Sequence, residues 1–237
     1  MKINPNYKYS EKIPSLYVNK DLLENLESYF LEKIPVILNV NAEIIRNKYK
    51  LIIKDSNGEE EISSIKDFNL NIFPNDTKEI SLNLYFWNDN QTNSITIYLD
   101  KDRIGAKIKI EISNSNPKET TNGIISGLNQ ILFQNKNNNF LFHPNIWVDA
   151  IISGIGFLAF WVSLNIFQSN VKLSISFLSV SIISLSYLSI LKKLKPYISF
   201  DSNKQRKYDR NTSWLFYSFL AFIIFGNLLV YLKNLFI

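Results

Sequence analysis

The chain has 237 residues, enough for one modest soluble domain and a small group of membrane helices. It contains no cysteine, which excludes disulfides, thiolate catalysis and cysteine-ligated zinc. The formal net charge of +5 is unevenly distributed: residues 1–147 hold 17 Lys and Arg against 18 Asp and Glu, whereas residues 148–237 hold 9 against 3. The basic character therefore belongs to the C-terminal part and gives little reason to expect nucleic-acid binding by the N-terminal part.

The first predicted element is an amphipathic helix. Asp21 and Glu24 have the spacing of a capping box, in which two side chains satisfy free amides at a helix start. Apolar residues then recur at helical spacing up to Pro35, which is expected to end the helix. The residues before Asp21 lack the apolar stretch of a signal peptide, so we expect the N-terminal part to stay in the cytoplasm.

Five strands are predicted next. The first two span residues 45–53 and 60–65, and Asn57-Gly58 favours a tight turn between them. Three further strands alternate between apolar and polar residues, and their short, turn-rich links indicate an antiparallel meander. The inward residues of these three are Ile80, Leu82, Leu84 and Phe86, then Ile95, Ile97 and Leu99, then Ala106, Ile108, Ile110 and Ile112.

A second amphipathic helix is predicted to begin at Pro117, because proline is favoured at the first helical position. One apolar face per strand and two amphipathic helices favour an α+β fold. We expect a two-layer sandwich, in which a mainly antiparallel five-stranded sheet carries two helices on one face. This cytoplasmic domain is predicted to occupy residues 1–140.

The remaining residues, 141–237, are predicted to form a membrane region. Three apolar runs without charged residues or histidine lie at about residues 150–167, 173–191 and 214–232. Each approaches the length of about 20 residues that a helix needs to cross a bilayer core of about 30 Å. We therefore expect three transmembrane helices.

Charge around these runs predicts their orientation. The link at residues 192–213 holds seven Lys and Arg, whereas the link between the first two runs holds only Lys172. Short loops rich in Lys and Arg stay in the cytoplasm. We expect a multi-pass protein of a bacterial inner (plasma) membrane, with the N-terminal domain and the basic loop inside and the C-terminus outside.

The open face of the predicted sheet combines basic and aromatic residues. They are Lys48, Lys50, Tyr85, Trp87, Tyr98, Lys107 and Lys109. Three interpretations apply: a solvated face whose lysines prevent edge pairing, a surface for a protein partner or a second copy, and a nucleic-acid surface. The aromatic spacing matches no nucleic-acid-binding signature, so nucleic acid is the least favoured.

No catalytic, cofactor or metal site is predicted. The segment from Asp100 to Gly105, with Glu111, partly matches a calcium loop, but Ile104 stands where a ligand oxygen is required and strands flank it. His143 is the only histidine and has no carboxylate or nucleophile nearby in sequence. These observations favour a protein that is not an enzyme.

Small and polar residues in the apolar runs predict helix packing. The middle run is rich in serine on all sides, which suits a helix packed between two others. The packing residues we single out are Gly154, Gly156, Asn165, Ser179, Ser184 and Asn227. Asn165 and Asn227 are expected at similar depth, where each bonds the other or a backbone carbonyl.

Two functions follow as hypotheses. The first is a non-enzymatic, membrane-anchored protein whose cytoplasmic domain senses a state or binds a partner at the inner membrane. The alternative is an oligomerising membrane effector or pore subunit that the cytoplasmic domain controls. The implied partners are the lipid bilayer and either a protein partner or further copies of the chain, and no cofactor is implied.

Overall fold

The structure, a computed structural model, describes residues 5–68, 72–88, 91–187, 192–212 and 214. It has an α+β fold, in which an antiparallel six-stranded sheet with helices precedes a helical C-terminal region. The strands of this sheet are β1 (Asn6–Lys12), β3 (Tyr49–Lys54), β4 (Glu59–Ile62), β5 (Glu79–Asn88), β6 (Gln91–Asp100) and β7 (Lys107–Ser113). Their spatial order is β1-β7-β6-β5-β3-β4. Two short strands, β2 (Leu16–Val18) and β8 (Ile198–Phe200), form a separate parallel sheet.

The predicted meander is confirmed, but the predicted number of strands is wrong. Strands β5, β6 and β7 pair antiparallel in sequence order, and every inward residue predicted for them is buried. The sixth strand is β1, which pairs antiparallel with β7 along the edge of the sheet. Its mostly polar sequence carries too little apolar alternation to be recognised, since its inner side consists of Tyr7, Tyr9 and the charged Glu11.

The N-terminal helical layer differs from the prediction at both ends. Helix α1 (Lys20–Ser28) is capped by Asn19, whose side chain accepts a hydrogen bond from the Leu22 amide at 2.9 Å, so the capping box at Asp21 is wrong. Pro35 does not end the helical segment either. A π-helical turn at Tyr29–Lys33 comes first, and Pro35 lies in the first turn of α2 (Ile34–Leu38), where no amide donor is needed.

The first predicted strand begins later than expected. Residues up to Lys48 form helix α3 (Ala42–Lys48), and the strand starts at Tyr49. Asn41 caps this helix by accepting from the Glu43 amide at 2.8 Å. Ile45 and Tyr49 are both buried, and their spacing of four fits one helical face as well as it fits a strand.

One hydrophobic core joins the sheet to the helices. Helix α4 (Pro117–Gln134) begins at Pro117, as predicted, and its buried residues are Thr121, Ile124, Ile125, Leu128 and Leu132. The four apolar ones lie in the same buried cluster as Leu22 and Leu26 of α1 and the inward strand residues. The other side of the sheet carries the alternate, polar residues.

Two apolar helices follow the domain. Helix α5 (Ile146–Ile166) has 21 residues, and within the described part of the chain it is the one helix long and apolar enough to cross a membrane. Helix α6 (Val171–Ser186) is apolar but has 16 residues. The two pack against each other as a hairpin. The third predicted run, 214–232, lies outside the described residues except for Trp214.

Candidate functional site at the junction of the domain and the apolar hairpin

Residues 192–212 were expected to form a loop, but part of this segment completes the domain. Strand β8 pairs in parallel with β2. The Asp201 amide donates to the Val18 carbonyl at 2.8 Å, and the Tyr197 amide donates to the Lys101 carbonyl at 3.0 Å. The chain that leaves the apolar hairpin is therefore bonded both to the small sheet and to the end of β6.

The side chains of β8 belong to the hydrophobic core. Ile198 is fully buried and Phe200 is 2% exposed. The Phe200 ring meets Phe73 edge to face, with ring centroids 6.1 Å apart, and Phe73 in turn stacks on Phe68 at 5.5 Å. Core packing, in addition to backbone hydrogen bonds, thus holds this segment.

A buried carboxylate lies at the end of β8. Asp201 accepts hydrogen bonds from the Tyr17 hydroxyl at 2.7 Å and from two nitrogens of Arg206, at 2.5 and 2.7 Å. The Arg206 guanidinium, together with the Tyr17 hydroxyl, holds the pKa of Asp201 below its ordinary range. Burial, followed by the bond to Asp201, raises the pKa of Tyr17 to about 12. A charged, bidentate pair therefore connects the end of β8 to the helical residues 203–212, and the Tyr17 hydroxyl adds β2 to the same carboxylate.

His143 connects the start of the hairpin to the same segment. Its Nε2 lies 2.8 Å from the Lys195 carbonyl oxygen, and its own carbonyl accepts from Arg103 Nη1 at 2.6 Å. Burial lowers the pKa of His143 from its ordinary value, which favours the neutral ring that donates to this carbonyl. Nearby, Asn139 donates to the Pro196 carbonyl at 2.8 Å and to the Ser199 hydroxyl at 2.7 Å.

Two ion pairs reinforce the junction. Lys192 lies 2.6 Å from Asp149 in the first turn of α5, and Lys195 lies 2.5 Å from Asp209. The first pair connects the returning chain to the start of α5, and the second holds residues 192–212 together.

A lysine-lined cavity of about 210 Å³ opens beside this junction. Its basic residues are Lys101, Lys193 and Lys204, and Phe200 and Gln205 contribute to its walls. A wider cleft of about 700 Å³ lies between α1 and α3 and includes the carboxylate of Glu27. That carboxylate already accepts hydrogen bonds from the Ser64 hydroxyl and the Ile65 amide, so it serves the fold.

Six of the seven residues of the predicted interaction face lie on strands of the sheet, and Lys48 does not. Lys48 is the exposed last residue of α3, and Lys50 pairs with Glu61 at 2.8 Å. Lys107 and Lys109 both lie over the Tyr98 ring, at 5.8 and 5.6 Å from its centroid. Three of the four basic side chains of the predicted face therefore already make a salt bridge or a cation–π contact.

The remaining two aromatic residues stand apart. Tyr85 and Trp87 are 52% and 62% exposed, and Trp87 Nε1 donates to the Tyr85 hydroxyl at 2.9 Å. Trp87 is opposite Thr92, six residues along β6 from Tyr98, which is about 20 Å at 3.3 Å per residue. The pair therefore lies at the end of the sheet away from Arg103 and the apolar hairpin.

Some of the predicted packing residues lie in the contact between α5 and α6. Gly156 faces α6, because a Cβ there would lie 3.2 Å from Ser184 Cβ, whereas one at Gly154 would meet nothing within 4 Å. Asn165 donates to the carbonyl of Trp161 and Ser179 donates to that of Ile175, each within its own helix. Asn227 lies outside the described residues.

The hairpin contact also includes a pair that the sequence did not single out. Ser163 and Ser174 are buried, and each hydroxyl donates to the carbonyl of the other residue, at 3.0 and 2.8 Å. Reciprocal hydroxyl bonds of this kind hold two apolar helices in register.

No group of three acidic or histidine side chains among the described residues is placed to hold a metal ion. The chain matches no protein-family model, no curated protein and no solved structure. The proposed function therefore rests on the contacts at the junction.

Proposed function

We propose that this protein is a non-enzymatic, membrane-anchored sensor or partner-binding protein, whose cytoplasmic domain is coupled directly to its membrane helices. The observation that carries the proposal is strand β8, because a segment between two apolar runs is also a strand of the domain. A change of conformation at β2 or β8 would move the ends of the helices. A movement of the helices would equally change the conformation at β2 and β8.

The dimensions of α5 support the membrane assignment. Its 21 residues extend about 31 Å at 1.5 Å per residue, close to the thickness of a bilayer core. Its outward side chains are large and apolar, with Phe157, Leu158 and Trp161 each about two-thirds exposed. Water is a poor solvent for such a surface, whereas lipid is a good one.

The return of the chain supports the proposed orientation. Helices α5 and α6 form a hairpin whose two ends lie at the domain, so the domain and residues 192–212 belong on one side of the bilayer. The surplus of Lys and Arg in that segment makes this side the cytoplasm. We therefore propose a multi-pass inner-membrane protein with its domain inside.

The oligomeric effector of the alternative hypothesis would need small residues free to meet another copy. Gly156 and Ser163 already lie against α6 of the same chain, and of the two glycines of α5 only Gly154 is left open. We therefore favour an anchoring and coupling role for the hairpin.

The exposed pair Tyr85 and Trp87 is the surface we propose for a protein partner. Aromatic residues with one polar atom are enriched at the centres of protein interfaces. Both lie at the end of the sheet away from the apolar hairpin, and a cytoplasmic partner would have access to them there.

Cysteine labelling tests the proposed placement, since the chain has no cysteine of its own. In intact cells, a membrane-impermeant maleimide should label Ser169→Cys in the α5–α6 turn but neither Asn57→Cys nor Asn203→Cys. The latter two should react after lysis. Equal protection of all three would contradict a crossing hairpin.

Photo-crosslinking tests the partner-binding surface. A photoreactive phenylalanine analogue in place of Trp87 should give a discrete crosslinked protein in cells, whereas the same analogue in place of Lys118, exposed on α4, should not. Identical products at both positions, or none at either, would contradict the assignment.

A further inference from the structure

The cavity beside β8 concentrates positive charge. Lys101 follows β6, Lys193 follows the apolar hairpin, and Lys204 lies in the helical residues 203–212. The other walls are polar or apolar and include Phe200, Gln205 and Tyr208. None of these lining residues, all of them described, is acidic. Lysines from three elements thus line one small cavity.

These three lysines differ from their neighbours in having no ion pair with any described carboxylate. By contrast, Lys192 and Lys195, next to Lys193 in the chain, pair with Asp149 and Asp209. The fold therefore supplies counter-charges on both sides of Lys193 but leaves the cavity without one.

Lys101 is the most constrained of the three. It is half-buried, and its ammonium lies 5.9 Å from the centroid of the Phe200 ring. Burial, followed by the charge of Lys204, lowers the pKa of Lys101, and Lys78 acts in the same direction. Asp76 is the one nearby carboxylate that opposes this effect, and it accepts a hydrogen bond from Ser56.

A half-buried ammonium without a counter-ion is unfavourable, and an anion between several ammonium groups removes that cost. A phosphoryl group has the appropriate charge, and lysine binds it as a point charge. The volume of about 210 Å³ admits a group of several heavy atoms, because one water needs only about 10–15 Å³ of such space.

We propose that Lys101, Lys193 and Lys204 form a binding site for a phosphate-bearing anion at the junction of the domain and the hairpin. The ligand is either a soluble phosphate compound or the headgroup of an anionic phospholipid. The headgroup source rests on the proposed membrane placement, because Lys193 then lies at the cytoplasmic surface of the bilayer, whereas a soluble phosphate requires no membrane. Binding of the anion would stabilise the docking of β8 on the domain. Ligand binding would thereby be coupled to the position of the apolar helices.

The test measures thermal unfolding of the full chain by tryptophan fluorescence. In nonionic detergent, inorganic phosphate and pyrophosphate are compared with chloride at matched ionic strength. In vesicles, phosphatidylcholine alone is compared with phosphatidylcholine containing phosphatidylglycerol. The variants are Lys193→Gln, Lys204→Gln and Lys101→Met, with Lys207→Gln as the control, an exposed lysine near Lys204 that does not line the cavity.

A rise in Tm with phosphate or pyrophosphate in detergent identifies a soluble ligand, and a rise only with phosphatidylglycerol identifies a headgroup. In either case Lys193→Gln and Lys204→Gln should weaken apparent affinity about tenfold, as expected for one lost charge-assisted hydrogen bond, and Lys207→Gln should not. Lys101→Met should raise Tm without anion and abolish the response to it. No response to any anion, or equal losses in Lys207→Gln, would overturn the site, while the cysteine labelling tests the membrane placement separately.

Discussion

His143 is the only histidine of the chain, and its pKa depends on the packing of the junction. Burial and the charges of Lys192 and Arg103 lower its pKa below 6.5, and the bond to the Lys195 carbonyl only partly opposes them. We expect the imidazole resonances in a nuclear magnetic resonance titration of the folded protein to have a midpoint below 6.5. The urea-unfolded chain should titrate near 6.5, and a folded midpoint at or above this value would contradict the packing of His143.

The same shift predicts how stability depends on pH. Between the lowered pKa and 6.5, the unfolded chain binds a proton that the folded protein does not, so the free energy of unfolding falls as pH decreases through this window. The His143→Gln variant should lose that part of the pH dependence between about pH 7 and about pH 5, where other side chains seldom titrate.

Asp201 is the carboxylate whose loss should cost most at this site. We expect Asp201→Asn to lower the free energy of unfolding by about 1.5–3 kcal/mol, because charge-assisted bonds to Arg206 and Tyr17 are lost in a buried setting. The matched control is Asp209→Asn, because the Asp209 side chain is 36% exposed against 10% for Asp201, and its ion pair with Lys195 should contribute about 0–1 kcal/mol.

Urea unfolding of both variants measures this difference, and equal losses would contradict it. Because the pKa of Asp201 is lowered in the folded protein, its contribution is present above about pH 3.8 and is lost as pH falls through the lowered value.

At the scale of elements, β8 should stabilise the domain even when it is supplied separately. Residues 1–140 lack Ile198 and Phe200, and burying each such side chain contributes about 1.5–3 kcal/mol. We expect a peptide of residues 193–212 to raise the Tm of residues 1–140, and a Phe200→Asp peptide to have little effect. An equal Tm with and without the wild-type peptide would contradict the role of β8 in the core.

The hairpin offers two glycines for a matched comparison. Gly156→Leu should separate α5 from α6, since even a Cβ would lie 3.2 Å from Ser184 Cβ, and overpacking of this kind costs about 1–3 kcal/mol. Gly154→Leu should be tolerated, because nothing lies within 4 Å of the position of its Cβ. Unfolding in mixed micelles of dodecyl maltoside and dodecyl sulfate measures both variants, and equal stability would show that the helices do not pack there.

At the scale of the whole molecule, the number of apolar runs sets the side of the C-terminus. In the topology we propose, two crossings return the chain to the domain, so a third at 214–232 would place Ile237 outside. A reporter active only in the periplasm should be silent when fused before Met1 and active when fused after Ile237. Silence at both ends would indicate an even number of crossings.

The prediction of strands and helices succeeded where the pattern is local. Strands β5 to β7 and the start of α4 followed from period-two alternation and from one proline, since both signals involve residues adjacent in the chain. The boundary at Tyr49 was missed because a spacing of four fits a helix and a short strand alike. Strand β1 was missed because an edge strand beside β7 needs few apolar residues.

The candidate site could not be predicted in the same way. Tyr17 and Asp201 are 184 residues apart in the chain and 2.7 Å apart in the fold. The sequence did contain a hint, because Tyr197, Ile198 and Phe200 form a short apolar run among lysines. The basic residues around that run predict a loop instead.

By itself, the sequence determined the α+β class of the domain and the apolar character of α5 and α6, since both follow from the spacing of apolar residues along the chain. Only the tertiary structure decided that residues 192–212 complete the domain, that Asp201 joins β2 to the following helix, and that three lysines share one cavity. The physical reason is that periodicity records which face of an element is buried, whereas the partner of that face is chosen by packing between distant segments.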